Sequence, residues 1–269
     1  FGLGLGWVPG GPLIGFAESK NLEDELSSLS AFIHHKFPRL IVRFNFYQSY
    51  EPAKSYIFIK ILKKAIYRIN SGFTILINLS DGEGNYLSMM TSKHRYYARK
   101  ANLVEVRWEF SASEKSIADF VNLQKQMIAS KGISGKFSNV ADIAQLSKQF
   151  GPEGITLLIG YISDQPVTGC LTYDLGSRSI YMSAASNNEG RKANLAYAMI
   201  PILFNHLKEK GIIHFDFGGI DPANSEAKGV DHFKKGFGGE IIEHLGEWDS
   251  ARISFLRFIM NIYLMKKLN

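Results

Sequence analysis

Gly211-Ile-Ile-His-Phe-Asp216-Phe-Gly-Gly219-Ile-Asp221-Pro222, followed shortly by Gly229-Val-Asp-His-Phe233-Lys234-Lys235-Gly236-Phe237-Gly238-Gly239-Glu240, decides how the rest of the chain is read. Ile213, Phe215 and Phe217 alternate with Ile212, His214 and Asp216, the period of a strand. The strand is expected to stop at Gly218-Gly219, where the absence of side chains allows a turn or the close approach of another molecule. Asp221-Pro222 sets a turn or a helix start. A short helix then carries Lys234 and Lys235 and leaves through glycines. The layout brings Asp216 and Lys234 toward one strand end, where α/β folds tend to keep their chemistry.

Upstream of this stretch a helix over 193–210 contains Pro201 and ends at Gly211. Before it come three strand-like runs, Ile155–Tyr161, Val167–Leu175 and Ser179–Ala184. Their short turns imply an antiparallel meander. Further back, Val104–Phe110 reads as a strand. Ser111-Ala-Ser-Glu114 has the pattern of a capping box. It opens a helix with Ile117, Phe120, Val121, Met127 and Ile128 on one stripe, and a shorter helix covers about 138–150. Strand, two helices, three antiparallel strands, helix, strand, short helix and strand is the order of a GNAT-like α/β domain with a mixed sheet.

The first hundred residues open on a glycine-rich apolar run at 1–15 that lacks the spacing of a dinucleotide loop. A helix over 19–37 ends at Pro38. Leu40–Phe46 alternates, with Val42 and Phe44 on one face and Arg43 and Asn45 on the other. A basic amphipathic segment covers 55–69, and Phe73–Leu79 is a second strand. Ser80-Asp81 is placed to cap a helix running to about Asn102. On that helix Arg95 and Arg99 are four apart and share a face, with Tyr96 and Lys100 in the next row. Two readings stand: a solvated basic face, or a phosphate-binding helix with aromatic neighbours. The apolar helix at 250–267 is interrupted by Arg257 and Asn261. It is too short to span a bilayer, so it packs on the first domain or lies on a membrane surface.

The 269-residue chain carries a net charge of +6, a mild pointer to phosphate-bearing partners. The single Cys170 excludes an internal disulfide and a cysteine zinc cluster, and its apolar setting reads as a core thiol in a reducing compartment. His214, Asp216, Asp221 and His232 match no metal-ligand spacing. The chain begins at Phe1 rather than at a methionine, which suggests a missing upstream part.

The signature Phe215-Asp-Phe-Gly-Gly-Ile-Asp-Pro with Gly229-Val-Asp-His-Phe-Lys-Lys-Gly-Phe-Gly-Gly-Glu240 resembles the closing segment of the FemABX peptidyltransferases, within the GNAT-like superfamily. Arg95-Tyr-Tyr-Ala-Arg-Lys-Ala101 and Tyr181-Met-Ser-Ala-Ala-Ser-Asn187 resemble further parts of that family in the same order. Trp7-Val-Pro-Gly-Gly-Pro-Leu13 resembles its R-G-P loop, with Gly10 where an arginine is common. The resemblance implies two tandem GNAT-like domains. The first is residues 1–103, incomplete and completed by the helix 250–269; the second is 104–249.

It also implies a cytoplasmic enzyme, with possible peripheral membrane contact, that moves an aminoacyl or acyl group onto an amine. The acceptor would be a peptidoglycan precursor or an amino sugar. The co-substrate would be aminoacyl-tRNA or acyl-CoA, with no tightly bound cofactor. An acyl-CoA N-acyltransferase of polysaccharide synthesis and a non-catalytic binding module are the alternatives. Such a transfer passes through an oxyanion that needs a positive donor. The resemblance assigns that role to Lys234 rather than Lys235, with Asp216 orienting the amine or taking its proton. Arg95, Arg99 and Lys100 are candidates for a pyrophosphate or tRNA backbone, and Tyr97 and Tyr181 for stacking on a base or sugar. Gly218, Gly219 and Lys235 complete the candidate substrate surface. Asn187-Asn-Glu-Gly190-Arg191-Lys192-Ala193 occupies the place of a coenzyme A pyrophosphate loop, but Lys192 stands where its second glycine belongs.

Overall fold

The structure, a computed structural model, describes residues 4–12, 19–81, 85–131, 140–151, 153–222 and 228–268. In chain order its elements are β1 (Gly4–Pro9), α1 (Ser19–Lys36), β2 (Leu40–Ser49), α2 (Pro52–Ile61), β3 (Lys63–Lys64), β4 (Phe73–Asn78), α3 (Tyr86–Met89), α4 (Ser92–Ala101), β5 (Arg107–Phe110) and α5 (Glu114–Lys131). There follow α6 (Val140–Phe150), β6 (Ile155–Ile162), β7 (Gln165–Leu175), β8 (Arg178–Ser186), α7 (Asn188–Lys192), α8 (Leu195–Glu209), β9 (His214–Ile220), α9 (Lys228–Lys235), β10 (Glu240–Ser250) and α10 (Ser254–Leu268). Two compact units emerge. The first joins residues 1–74, 219–227 and 241–269; the second joins 75–218 and 228–240.

In the first unit β1 runs parallel to β2, and β10 lies antiparallel to β2 and β3. Leu22 and Leu26 of α1 and Phe58 and Leu62 of α2 cover Val42, Phe44 and Phe46 on one face of β2. The opposite face carries Arg43 and Asn45. It is buried as well: Met260 and Leu264 of α10 pack on Ile41 beside it. Every guanidinium nitrogen of Arg43 is bonded there. Its Nε donates to Asp249 at 2.7 Å, its Nη2 to Asn261 Oδ1 at 2.7 Å, and its Nη1 contacts Glu247 at 3.2 Å. Arg257 and Asn261, which break the apolar run of α10, therefore serve inside: Asn261 bonds Arg43, and Arg257 stands 3.8 Å from Asp249. The packing of the last helix on the first unit is as expected. The basic segment 55–69 is not one amphipathic element, because the chain leaves α2 at Leu62. It then hands the Ile69 and Asn70 amides to Glu247 and those of Ile66 and Tyr67 to Asn261.

In the second unit β6, β7 and β8 form the antiparallel meander read from the sequence, β5 lies antiparallel to β6, and β8 continues parallel to β9. One face is filled by Ile117, Phe120, Leu123 and Ile143 of α5 and α6 against Ile155, Leu157, Ile159 and Leu171. The other face meets α8, and Cys170 is buried there as a free thiol whose ionisation burial pushes up. α8 ends as expected at Gly211, which takes φ +83°. Ile212 N donates to Leu207 O and Gly211 N to Lys208 O, a Schellman closure.

Three local expectations are corrected. Ser80-Asp81 does not open a helix to Asn102; Met90 is extended and Thr91 caps α4 by accepting from His94 N. Ser111 and Glu114 do not form the capping box, because Ser113 Oγ takes the Ser116 amide instead. Strand β9 does not stop at the glycines but runs on to Ile220.

Candidate active site

The site is assembled by rings. His94 of α4 is buried, and its Nε2 lies 2.9 Å from the carbonyl of Phe233 in α9. A carbonyl only accepts, so Nε2 carries the hydrogen and Nδ1 accepts from the Thr91 hydroxyl at 3.1 Å. Burial, the largest cause, together with His232 and Lys93, lowers the basicity of His94 and keeps the ring neutral. Tyr197 of α8, Phe233 and Phe237 surround it at centroid distances of 4.8, 6.1 and 5.1 Å. Phe237 in turn stacks on Phe217 of β9 at 5.5 Å. The Phe-Lys-Lys-Gly-Phe segment is thus fixed at both of its aromatics.

That clamp sets Lys234 beside the residue before Phe217, which is Asp216. Lys234 is half-buried; loss of water lowers its basicity, while the carboxylates of Asp231 and Asp216 pull the other way. Asp231 is itself buried on the same helix, three residues before Lys234. Asp216 Oδ1 accepts from Gly218 N at 2.8 Å, and its Oδ2 lies 3.4 Å from Arg178 Nη2. The result is one partly desolvated ammonium in the field of two acids, one of which also holds a guanidinium. A positive charge kept out of water acts on a nearby oxyanion more strongly than one in solvent.

The other sequence candidates are distributed unevenly. Tyr181 lies over Phe215 and Phe217 at 6.0 and 5.7 Å, and burial holds its hydroxyl neutral well above the usual phenol range. Gly218, with φ +71°, lies against Tyr181 O, where a Cβ would stand 3.3 Å away. These two belong to the Asp216 neighbourhood. Tyr97 packs on Tyr197 at 5.0 Å; Arg95 is half-buried; Arg99 and Lys100 are exposed in the last turn of α4. Lys235 points to solvent, and Gly219 falls in the first unit.

Asn187, Gly190 and Arg191 are occupied internally. Asn187 Oδ1 caps α7 by accepting from Gly190 N at 2.9 Å. A Cβ on Gly190 would lie 2.3 Å from Val167 O. Arg191 bonds Ser186 O at 2.6 Å and Ser130 Oγ at 3.1 Å. Packing against β7 is thus a sufficient reason for the glycine.

Sequence reasoning missed Asp231, Arg178 and His94. Asp231 was readable as the acid one helical turn before Lys234. Arg178 was not, since only the β8–β9 register, pairing Arg178 with His214 and Ile180 with Asp216, brings it to Asp216.

The meander, the helix after it, the parallel strand and the short lysine helix are those of a GNAT-like α/β fold. Residues 159–264 match the model of the FemAB family, the family that the glycine-rich signature resembles. The chain is 30% identical over 168 residues to lipid II:glycine glycyltransferase of Staphylococcus aureus, covering 56% of this chain and 37% of that protein. The chain therefore spans well under half the length of the curated relatives it matches.

The structure is similar to the crystal structure of FemX, with a TM-score of 0.77 and 16% identity, over 95% of this chain and 82% of that one. It is also similar to the C-terminal domain of a putative lysylphosphatidylglycerol synthetase from Agrobacterium fabrum. There the TM-score is 0.63 and the identity 10%, over 98% of this chain and 83% of that one. At such identities the likeness is one of fold.

Proposed function

We propose that the chain is an aminoacyltransferase of FemAB type, acting on an amine of a peptidoglycan precursor. The observation that carries this reading is Lys234, desolvated on its short helix and flanked by Asp231 and Asp216 within the family signature. In the reaction the acceptor amine attacks the ester carbonyl of the aminoacyl donor. The N–C bond forms, the C–O bond to the donor's ribose breaks, and the amine's proton leaves with the ribose hydroxyl. Lys234 faces the oxyanion of the tetrahedral intermediate, and Asp216 orients it. Arg95, Arg99 and Lys100 attract the phosphates of donor or acceptor.

Aminoacyl-tRNA is favoured over acyl-CoA as the donor because Gly190 is packed on Val167 and Arg191 is bonded to Ser186, so neither is kept open for a pyrophosphate. The same reading takes 1–103 with 250–269, and 104–249, as two tandem GNAT-like domains working at the cytoplasmic side of the envelope. Incubation of the protein with charged tRNA or acyl-CoA and a cell-wall precursor, followed by product mass, tests it. Aminoacylated precursor formed from tRNA is the expected product. If neither donor is consumed, the transferase reading fails.

A further inference from the structure

Helix α10 has no polar side. Met260, Asn261 and Leu264 face the core of the first unit, against Ile41 and Arg43. At about 100° per residue the opposite line is Phe255, Ile259 and Ile262, flanked by Phe258 and Tyr263. Phe255 is 67% exposed and Phe258 50%, and Ile259, Tyr263 and Met265 are open as well. A contiguous apolar stripe of this kind marks a contact surface.

Charge identifies what the stripe meets. From Ala251 to Leu268 there is no acidic residue, while Arg252, Arg257, Lys266 and Lys267 are basic. Arg257 is turned inward to Lys64 O and Asp249, but Arg252, Lys266 and Lys267 are exposed at the two ends of the stripe. Apolar and aromatic side chains between cations, without a single anion, complement an anionic lipid surface. The helix has 15 residues, about 22 Å of length, so it lies along such a surface and does not cross it. No helix among the described residues is long and apolar enough to cross a membrane.

We infer that α10 docks the protein on anionic bilayers. Phe255, Phe258, Ile259 and Tyr263 enter the acyl boundary, while Arg252, Lys266 and Lys267 engage lipid phosphates. The inference stands on this helix alone and is independent of the transferase reading.

Sedimentation with phosphatidylcholine vesicles, with and without phosphatidylglycerol, tests it. The protein should pellet with the anionic vesicles, less so as salt rises. Phe255→Ser with Ile259→Ser should weaken that binding roughly tenfold or more. Lys266→Glu with Lys267→Glu should abolish the preference for phosphatidylglycerol. Protein that stays in the supernatant, or a double serine variant that binds unchanged, overturns the inference. So does a serine variant that only converts a dimer to a monomer in gel filtration, since the occupant is then a second copy. If the serine variant does not fold, Tyr263→Trp decides. Its emission should shift to the blue on anionic vesicles, and an unmoved spectrum refutes insertion. Transfer to a lipid-free acceptor should be the same in all these folded variants, so failure of docking and failure of the transferase reading are told apart.

Discussion

Gly236 lies against the imidazole of His94 so closely that a Cβ on the glycine would stand 2.0 Å from Cε1 and 2.1 Å from Nε2. The ring is held from its other sides by the Phe233 carbonyl and by Tyr197 and Phe237, and has nowhere to retreat. The glycine after the two lysines is therefore a docking requirement. It lets α9 sit on α4 and, through Phe237 on Phe217, fixes Lys234 near Asp216.

Gly236→Ala should accordingly destabilise the protein by about 1–3 kcal/mol, the cost of overpacking a filled core. Gly229, on the same helix, has nothing within 4 Å of its would-be Cβ. Gly229→Ala should be neutral or stabilising by up to about 1 kcal/mol, because alanine is the better helix former. The two are compared by urea midpoint at unchanged slope. Equal midpoints for Gly236→Ala and the parent would show that α9 is not held through His94.

Gly190 separates a packing role from a cofactor role. Its Cβ would meet Val167 O, a backbone atom of a central strand that cannot move aside, so Gly190→Ala should lower stability by roughly 1–3 kcal/mol. A glycine kept only to let a pyrophosphate approach would leave the melting temperature of the free protein untouched. Calorimetry without ligand distinguishes the two.

The parts of the fold legible in sequence were those governed by period and punctuation. The meander 155–186, the closure at Gly211 and the short helix with Lys234 follow from alternation, turn residues and glycine. What was hidden depended on contacts far along the chain. Nothing near Arg43 in the sequence shows that Asn261 of α10, more than two hundred residues later, bonds it. The break between α3 and α4 is not written in a proline or glycine; it follows from Thr91 capping α4 by accepting the His94 amide. At the site, Lys234 and Asp216 were found through a motif and a strand end, and Asp231 is visible by helical spacing in hindsight. Arg178 and His94 required the sheet register and the ring cluster.

The Arg43 network should respond in the manner of a buried ion pair. Arg43→Met leaves Asp249 and Glu247 buried with fewer partners and should cost about 3–5 kcal/mol. Adding Asp249→Leu removes one of the stranded charges and should recover part of that loss, because an apolar replacement needs no desolvation. A double variant no more stable than the single one would show that Asp249 is satisfied by Asn261 and Arg257 alone.

Lys234 offers the sharpest test, because its chemistry and its titration must agree. Its folded-state basicity lies below the usual lysine value of 10.5 through burial, opposed by Asp231 and Asp216. Between the lowered folded value and the ordinary one, the unfolded chain holds the proton and the folded protein does not. Stability should therefore rise with pH across that window, and at neutral pH the half-buried ammonium is a cost to folding. Function asks for the opposite state. If the ammonium faces an oxyanion, kcat/KM falls as pH climbs through the folded value. Lys234→Met should keep the fold by circular dichroism and lose about a hundredfold or more in turnover, as when a single oxyanion donor is removed.

Asp216→Asn keeps an oxygen for Gly218 N but deletes a charge that raises the basicity of Lys234. The Lys234 titration, followed by NMR of 13C-labelled lysine, should then move to still lower pH, and the alkaline limb of kcat/KM should move with it. A limb that stays in place while the NMR titration moves would take Lys234 out of the rate-limiting chemistry, and an unmoved titration would mean that Asp216 does not act on it.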